Sequence, residues 1–249
     1  MGKALSMYVV THKQMSHEVV GRTVIGVGNK PIEGVTIYDN CGDNISEKNK
    51  NYCELTALYW IWKNDKDSKY IGIEHYRRFF CENISIFRPN VLSNQKIEEI
   101  LTKYDCISPR KIRFDQSIYE FYKSNHIIED LDKCREYIKE HKAEYLKDYD
   151  DVINGYEMSI CNMAIMPREI FCNYCEWLFD ILFSVEKEID LEKRDSYQKR
   201  VYGFLSERLL NVWLHHQKLN IYYCKIEQTE KHFFLKKIKN FAKKLLKRG

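Results

Sequence analysis

Residues 71–80 read I-G-I-E-H-Y-R-R-F-F, an apolar strand that runs straight into a cluster of cationic and aromatic side chains. In open α/β sheets, ligands bind just beyond the carboxyl ends of strands, and adjacent arginines offer forked donors that match phosphate oxygens. The stretch therefore predicts a strand followed by an anion site, with a phosphorylated ligand as the first hypothesis. The alternative for His75, Tyr76, Arg77 and Arg78 is a solvated turn whose arginines pair with surface carboxylates.

On either side the pattern alternates. Residues 6–10, 23–27 and 35–38 are β-prone runs bounded by turn formers, the first ending in Thr11-His12-Lys13. The loop at 39–46 leads into a helix expected over 49–64, where Tyr52, Leu55, Tyr59 and Trp62 recur at helical spacing and Ser46 or Asn49 can cap. Residues 69–74 read as a strand, 97–103 as a short helix and 104–108 as a strand stopped by Pro109. Such alternation predicts an α/β fold with a parallel or mixed central sheet and helices on its faces. Residues 117–151 look like a charged helical insertion over one sheet edge. Beyond it, 159–166 reads as a strand, 168–186 and 199–216 as amphipathic helices, and 220–226 as a last strand.

The 249 residues with 44% hydrophobic content suit one compact domain with an appendage, and only 10 Gly and 4 Pro argue for short connections. The first 13 residues lack a basic region followed by an apolar run, and no run of about 18 apolar residues occurs, so a chain neither secreted nor membrane-spanning is expected. The opening M-G-K-A-L-S matches the N-myristoylation pattern and is read as a chance match. Nine scattered cysteines, an odd number, predict no disulfide framework and a reducing cytoplasm. Cys172 and Cys175 form a C-x-x-C with no second pair, inside a helical pattern, which predicts core packing.

The net charge of +4 is unevenly spread. Residues 230–249 hold eight Lys or Arg against Glu230, a local +7, and the other 229 residues sum to −3. The body thus gives no case for nucleic acid binding. In the tail, Phe234, Leu235, Ile238, Phe241, Leu245 and Leu246 share one helical face among lysines, a basic amphipathic helix suited to an anionic membrane surface. Packing on the body or on a partner is the alternative. The expected division is a domain over 1–228 and a membrane-association tail over 229–249.

Further groups could carry chemistry. Residues 42–54, G-D-N-I-S-E-K-N-K-N-Y-C-E, gather Asp43, Asn44, Asn51 and Glu54 at a helix start, where amides can meet an anion and side chains can accept ribose hydroxyls. Ordinary N-capping is the alternative. His126, Glu129 and Asp130, and separately Glu207 and Arg208, put carboxylates on helices that could act as general base or hold a sugar hydroxyl; solvated helix charges are the alternative. No P-loop or Rossmann fingerprint and no Ser/His/Asp order is present.

Four blocks carry a wider resemblance: Y-D-N-C-G-D-N-I-S-E-K-N from Tyr38, Y-I-G-I-E-H-Y-R-R-F-F from Tyr70, C-N-M-A-I-M-P-R-E-I-F-C-N-Y-C-E-W-L-F from Cys161, and S-E-R-L-L-N-V-W-L from Ser206. In this order and spacing, over about residues 6–223, the chain resembles the glycosyltransferase-like family of bacterial capsular, exopolysaccharide and O-antigen gene clusters. The resemblance implies a single GT-A-like nucleotide-sugar-binding domain and hexosyl transfer, in some members of galactofuranose, from a UDP-sugar to a lipid-linked glycan. It implies a cytoplasmic protein, peripheral at the inner face of the membrane. A non-catalytic nucleotide- or carbohydrate-binding module is the rival reading.

By the same resemblance, donor-side residues are Thr11, His12, Lys13, Asp43, Asn44, Asn51, Glu54, His75, Tyr76, Arg77 and Arg78. Asn162 and Arg208 fall on the acceptor side, and Glu207, Asp130 and His126 are the catalytic candidates. Where many GT-A enzymes carry a metal-binding Asp-x-Asp, this chain has Glu74-His75-Tyr76 and then Arg77-Arg78. The departure implies catalysis without a metal cofactor, the arginines stabilising the leaving diphosphate, with Mg²⁺ or Mn²⁺ as the alternative.

Overall fold

A computed structural model describes residues 4–15, 19–28, 30–83 and 90–229. The basic tail expected over 229–249 lies, from residue 230 on, outside the described residues. Strands β1 (Leu5–Thr11), β2 (Thr23–Gly26) and β3 (Ile37–Tyr38) are followed by helices α1 (Asn49–Tyr52) and α2 (Leu55–Asn64). Next come β4 (Tyr70–His75), β5 (Arg78–Cys81), α3 (Asn94–Leu101), β6 (Cys106–Pro109) and β7 (Lys111–Arg113). The second half runs α4 (Ile118–Asn125), α5 (Ile128–His141), α6 (Leu146–Ile153), β8 (Glu157–Ser159), β9 (Ala164–Pro167), α7 (Arg168–Glu186), α8 (Val201–His216) and β10 (Ile221–Gln228).

The sheet is mixed, as the alternation predicts. β3, β2, β1 and β4 lie side by side and parallel. β4 also pairs antiparallel with β9, from Tyr70↔Pro167 to Ile73↔Ala164, and β9 meets β6 at Ile107↔Ile165. β6 runs parallel to β10, β10 antiparallel to β5, and β5 returns to β4 at His75↔Arg78. These pairings close a ring of five strands, and the carboxyl end of β4 sits where the ring joins the parallel half. Gly72 permits the crossing: a Cβ there would overlap the Met7 sulfur and crowd Ile165.

Both faces are covered. Alternate residues of β1 divide between two apolar clusters, Tyr8 and Val10 with α2, α7 and α8, and Met7 with α3. Ser93 caps α3 by accepting the Lys96 N–H at 3.2 Å, and Ser117 caps α4 by accepting that of Glu120 at 3.2 Å.

Four expectations need correction. The helix expected over 49–64 is two helices, broken at Cys53, whose φ of 54° and ψ of −128° cannot continue a helix. The arginines do not end a strand in a loop: Tyr76 and Arg77 form the tip of a hairpin and Arg78 starts β5. The strand expected over 159–166 is two short ones in different sheets, β8 in a ribbon with β7 and β9 in the main sheet, separated by Cys161 at φ 75°. The helical insertion packs chiefly against α7 and α8 rather than over a sheet edge.

Candidate functional site

The carboxyl ends of β1 and β4, the start of β5, α1 and the first turns of α8 enclose a cleft of about 530 Å³, in the range of small-molecule sites. One wall carries Thr11, His12, His75, Tyr76, Arg77 and Arg78. The Tyr76 N–H donates to the Val10 carbonyl at 3.0 Å, so pairing with β1 extends past β4 and holds the hairpin tip. The Tyr76 ring meets His12 edge-on at 5.0 Å, with the Arg77 guanidinium at 5.4 Å and the Lys13 ammonium at 4.8 Å from its centroid. Arg78 Nε is buried with no hydrogen-bond partner among the described residues.

The facing wall carries Asn49, Lys50, Cys53, Glu54, Arg200 and Glu207. Arg200 Nε donates to Cys53 Sγ at 3.3 Å. Burial, with Glu54 adding to it, pushes the Cys53 thiol up to about 11, so it is neutral and does not offset the guanidinium charge. Glu54 Oε1 accepts from Asn162 Nδ2 at 2.7 Å. The Glu207 side chain is 28% exposed and accepts from Arg208 Nη1 at 3.2 Å and from the Cys161 main-chain N–H. Burial and the nearby Glu54 hold its carboxyl above the usual range, against the pull of Arg208 and Arg78. His75, 8% exposed, is pushed down by burial and by Arg78 and Arg77, against the opposite pull of Glu54, so its ring is neutral at neutral pH.

Of the residues singled out in the sequence, Thr11, His12, Glu54, His75, Tyr76, Arg77, Arg78 and Glu207 come together around the cleft. Lys13 lies beside Tyr76, while Asn162 and Arg208 stand behind the lining and hold Glu54 and Glu207. Asn51 pins α1 to the Lys199 carbonyl at 2.9 Å. Asp43 and Asn44 do not line the cleft: Asp43 accepts from Tyr59 at 3.2 Å, and Asn44 closes its own loop onto Gly42 and Ser46.

Asp130 and His126 lie outside the cleft lining. The Asp130 side chain is 2% exposed and held by two bonds from Arg194, at 2.5 and 2.7 Å, so its oxygens are already engaged away from the cleft. His126 stacks on Phe204 at 4.0 Å, and burial and Arg208 push it down to about 4. Sequence reasoning missed Lys50, Cys53 and Arg200. Cys53 and Arg200 are 147 residues apart, and nothing local marks either as facing the other.

The titratable groups of the cleft make contacts within the protein. The carboxylates, Glu54 and Glu207, are each tied to a donor of the protein, and neutral His75 is bonded to the Asn162 main chain. Among the described residues, three ligand groups converge only at Asp148, Asp151 and His215, outside the cleft lining. Also among the described residues, no helix is long and apolar enough to cross a membrane.

No curated protein sequence matches the chain. Among solved structures, the apo structure of the WbbM bifunctional glycosyltransferase is similar, with a TM-score of 0.81 and 25% sequence identity. The likeness covers 92% of this chain and 46% of that one, so this chain spans less than half of the protein it resembles. The family model of the domain of unknown function DUF4422 matches residues 6–218, and the chain belongs to that family.

Proposed function

We propose that the chain is a glycosyltransferase that moves a hexosyl group from a nucleotide-diphosphate sugar, with UDP as the carrier, to a hydroxyl of a lipid-linked glycan. One observation carries the reading: the cations lining the cleft outnumber its carboxylates and stand around one, Glu207, whose proton affinity is raised. Lys50, Arg77, Arg78 and Arg200 face Glu54 and Glu207, an excess of two positive charges that a diphosphate diester matches. The likeness to a glycosyltransferase supports the same class.

In this mechanism the acceptor oxygen attacks the anomeric carbon, its proton passes to Glu207, and the bond from that carbon to the diphosphate breaks. The departing nucleotide diphosphate takes the bonding pair, and Arg77 and Arg78 stabilise its charge without a metal. A GT-A-type donor site at the ends of β1 and β4 and a basic tail at an anionic membrane complete the proposal. The test is UDP release from a panel of UDP-hexoses with a lipid-linked acceptor, in EDTA and with Mn²⁺. Turnover that survives EDTA and falls about 10²-fold or more in Arg78→Ala supports it. Abolition by EDTA with rescue by Mn²⁺ removes the metal-free mechanism, and UDP binding without release leaves a binding module.

A further inference from the structure

Asn162 stands behind the cleft and touches two of its lining residues. Its Nδ2 donates to Glu54 Oε1 at 2.7 Å and to the Gly203 carbonyl at 3.3 Å. Both partners only accept, so the amide can face only one way, and its Oδ1 is buried with no partner among the described residues. The Asn162 main chain also bonds to the His75 ring. His75 Nε2 is buried and has no hydrogen-bond partner among the described residues, so that bond runs through Nδ1. In a neutral ring, Nδ1–H then donates to the Asn162 carbonyl and Nε2 keeps its lone pair.

A buried acceptor without a donor is costly, and His75 lines the cleft. Neither Arg77 nor Arg78, the cations near His75, fills Nε2. The backbone shows how firmly the pair is set. Cys53 at φ 54° immediately precedes Glu54, and Cys161 at φ 75° immediately precedes Asn162. Side-chain-bearing residues hold such conformations only where their surroundings over-determine them.

We propose that Asn162 is a positioning residue that fixes two hydroxyl acceptors at once, His75 Nε2 through its main-chain carbonyl and the Glu54 carboxylate through its side-chain amide, to grip the hydroxyls of the transferred sugar. This rests on reading the cleft as a sugar-transfer site. Glu207 then handles the proton, while Glu54 and His75 orient the sugar and leave the diphosphate to the arginines.

Two measurements test it. Nitrogen-15 histidine spectra of the unliganded chain, with His75 assigned through His75→Gln, should show a proton on Nδ1 and a bare Nε2 across about pH 6–8. Calorimetry should show that Asn162→Asp, which sets two carboxylates against each other, weakens UDP-hexose binding by about 10–100-fold and leaves UDP binding unchanged, with His75→Phe doing the same to a smaller extent. A proton on Nε2 overturns the proposal, as does an equal loss for UDP and UDP-hexose or no loss for either. If UDP-hexoses bind but are never turned over, the transfer reading fails while the nitrogen shifts and the affinity difference still decide the positioning role.

Discussion

Glu74 and His75 are neighbours on β4 and face opposite sides of the sheet, one into a closed ion pair and the other into an open cleft. On the closed side, Arg22 Nε donates to Glu74 Oε2 at 2.8 Å, both side chains being at most 1% exposed. Arg22 Nη2 donates to Glu74 Oε1 at 3.4 Å and to the Leu92 carbonyl at 2.8 Å, Nη1 donates to Asn94 Oδ1 at 3.0 Å, and the Phe80 N–H donates to Glu74 Oε1 at 2.9 Å. Both carboxylate oxygens and all three guanidinium nitrogens there have partners within the protein. On the open side, Arg78 Nε and His75 Nε2 are buried without one among the described residues, and Arg200 donates to a neutral thiol. The same residue types serve as a fastener when their partners are internal and as a site when they are left for a ligand.

The largest expected effect tests the open side. Glu207→Gln should lower kcat by about 10²–10⁴-fold while the urea midpoint holds or rises, because the folded protein already disfavours the ionised carboxyl. More than a tenth of the activity surviving would remove Glu207 from proton transfer. Arg22→Met tests the closed side: it strands Glu74 in the core and should cost about 3–5 kcal/mol by urea denaturation, with donor KM unchanged in the protein that stays folded. A large KM change with little loss of stability would erase the contrast between the two sides.

A smaller effect concerns pH. The raised carboxyl of Glu207 contributes stability at pH below the ordinary Glu value, which is lost as pH rises through the folded value, whereas the proposed transfer needs the ionised form and should rise over that same span. The acid limb of kcat/KM should therefore sit above the ordinary Glu range. Glu54→Gln removes a negative neighbour and should move that limb to lower pH; a shift upward would contradict the coupling. The smallest effect is at the broken helix. Cys53→Gly should change stability by no more than about 1 kcal/mol, relief of the left-handed backbone offsetting the added chain freedom, as an unfolding midpoint would show.

Much of the fold was legible because its signals are local. Helix α7 occupies residues 168–186 as read, since Pro167 marks its start and its apolar spacing is unbroken. The break at Cys53 was hidden because Tyr52, Leu55, Tyr59 and Trp62 keep helical spacing through it. The hairpin after β4 was missed because Tyr76 and Arg77 are not turn-forming types. At the site, the H-Y-R-R run could be read from residue type and position after a strand. The difference between Glu207 and Asp130 could not, since both are helix carboxylates and Arg194, which engages Asp130, lies 64 residues away.

The contacts that assemble the wall facing the arginine hairpin have a consequence for how the protein comes to be competent. Asn51 with Lys199, Cys53 with Arg200 and Glu54 with Asn162 span 148, 147 and 108 residues of chain. Closing such long loops is paid in entropy before any contact repays it, so these seams should form late in folding. A nascent chain that has reached β4 and β5 can present the arginine hairpin, but it has no opposing wall until α8 has been synthesised and docked. Binding competence should thus appear in one step at the end of folding, and nucleotide affinity would report completion of the whole domain.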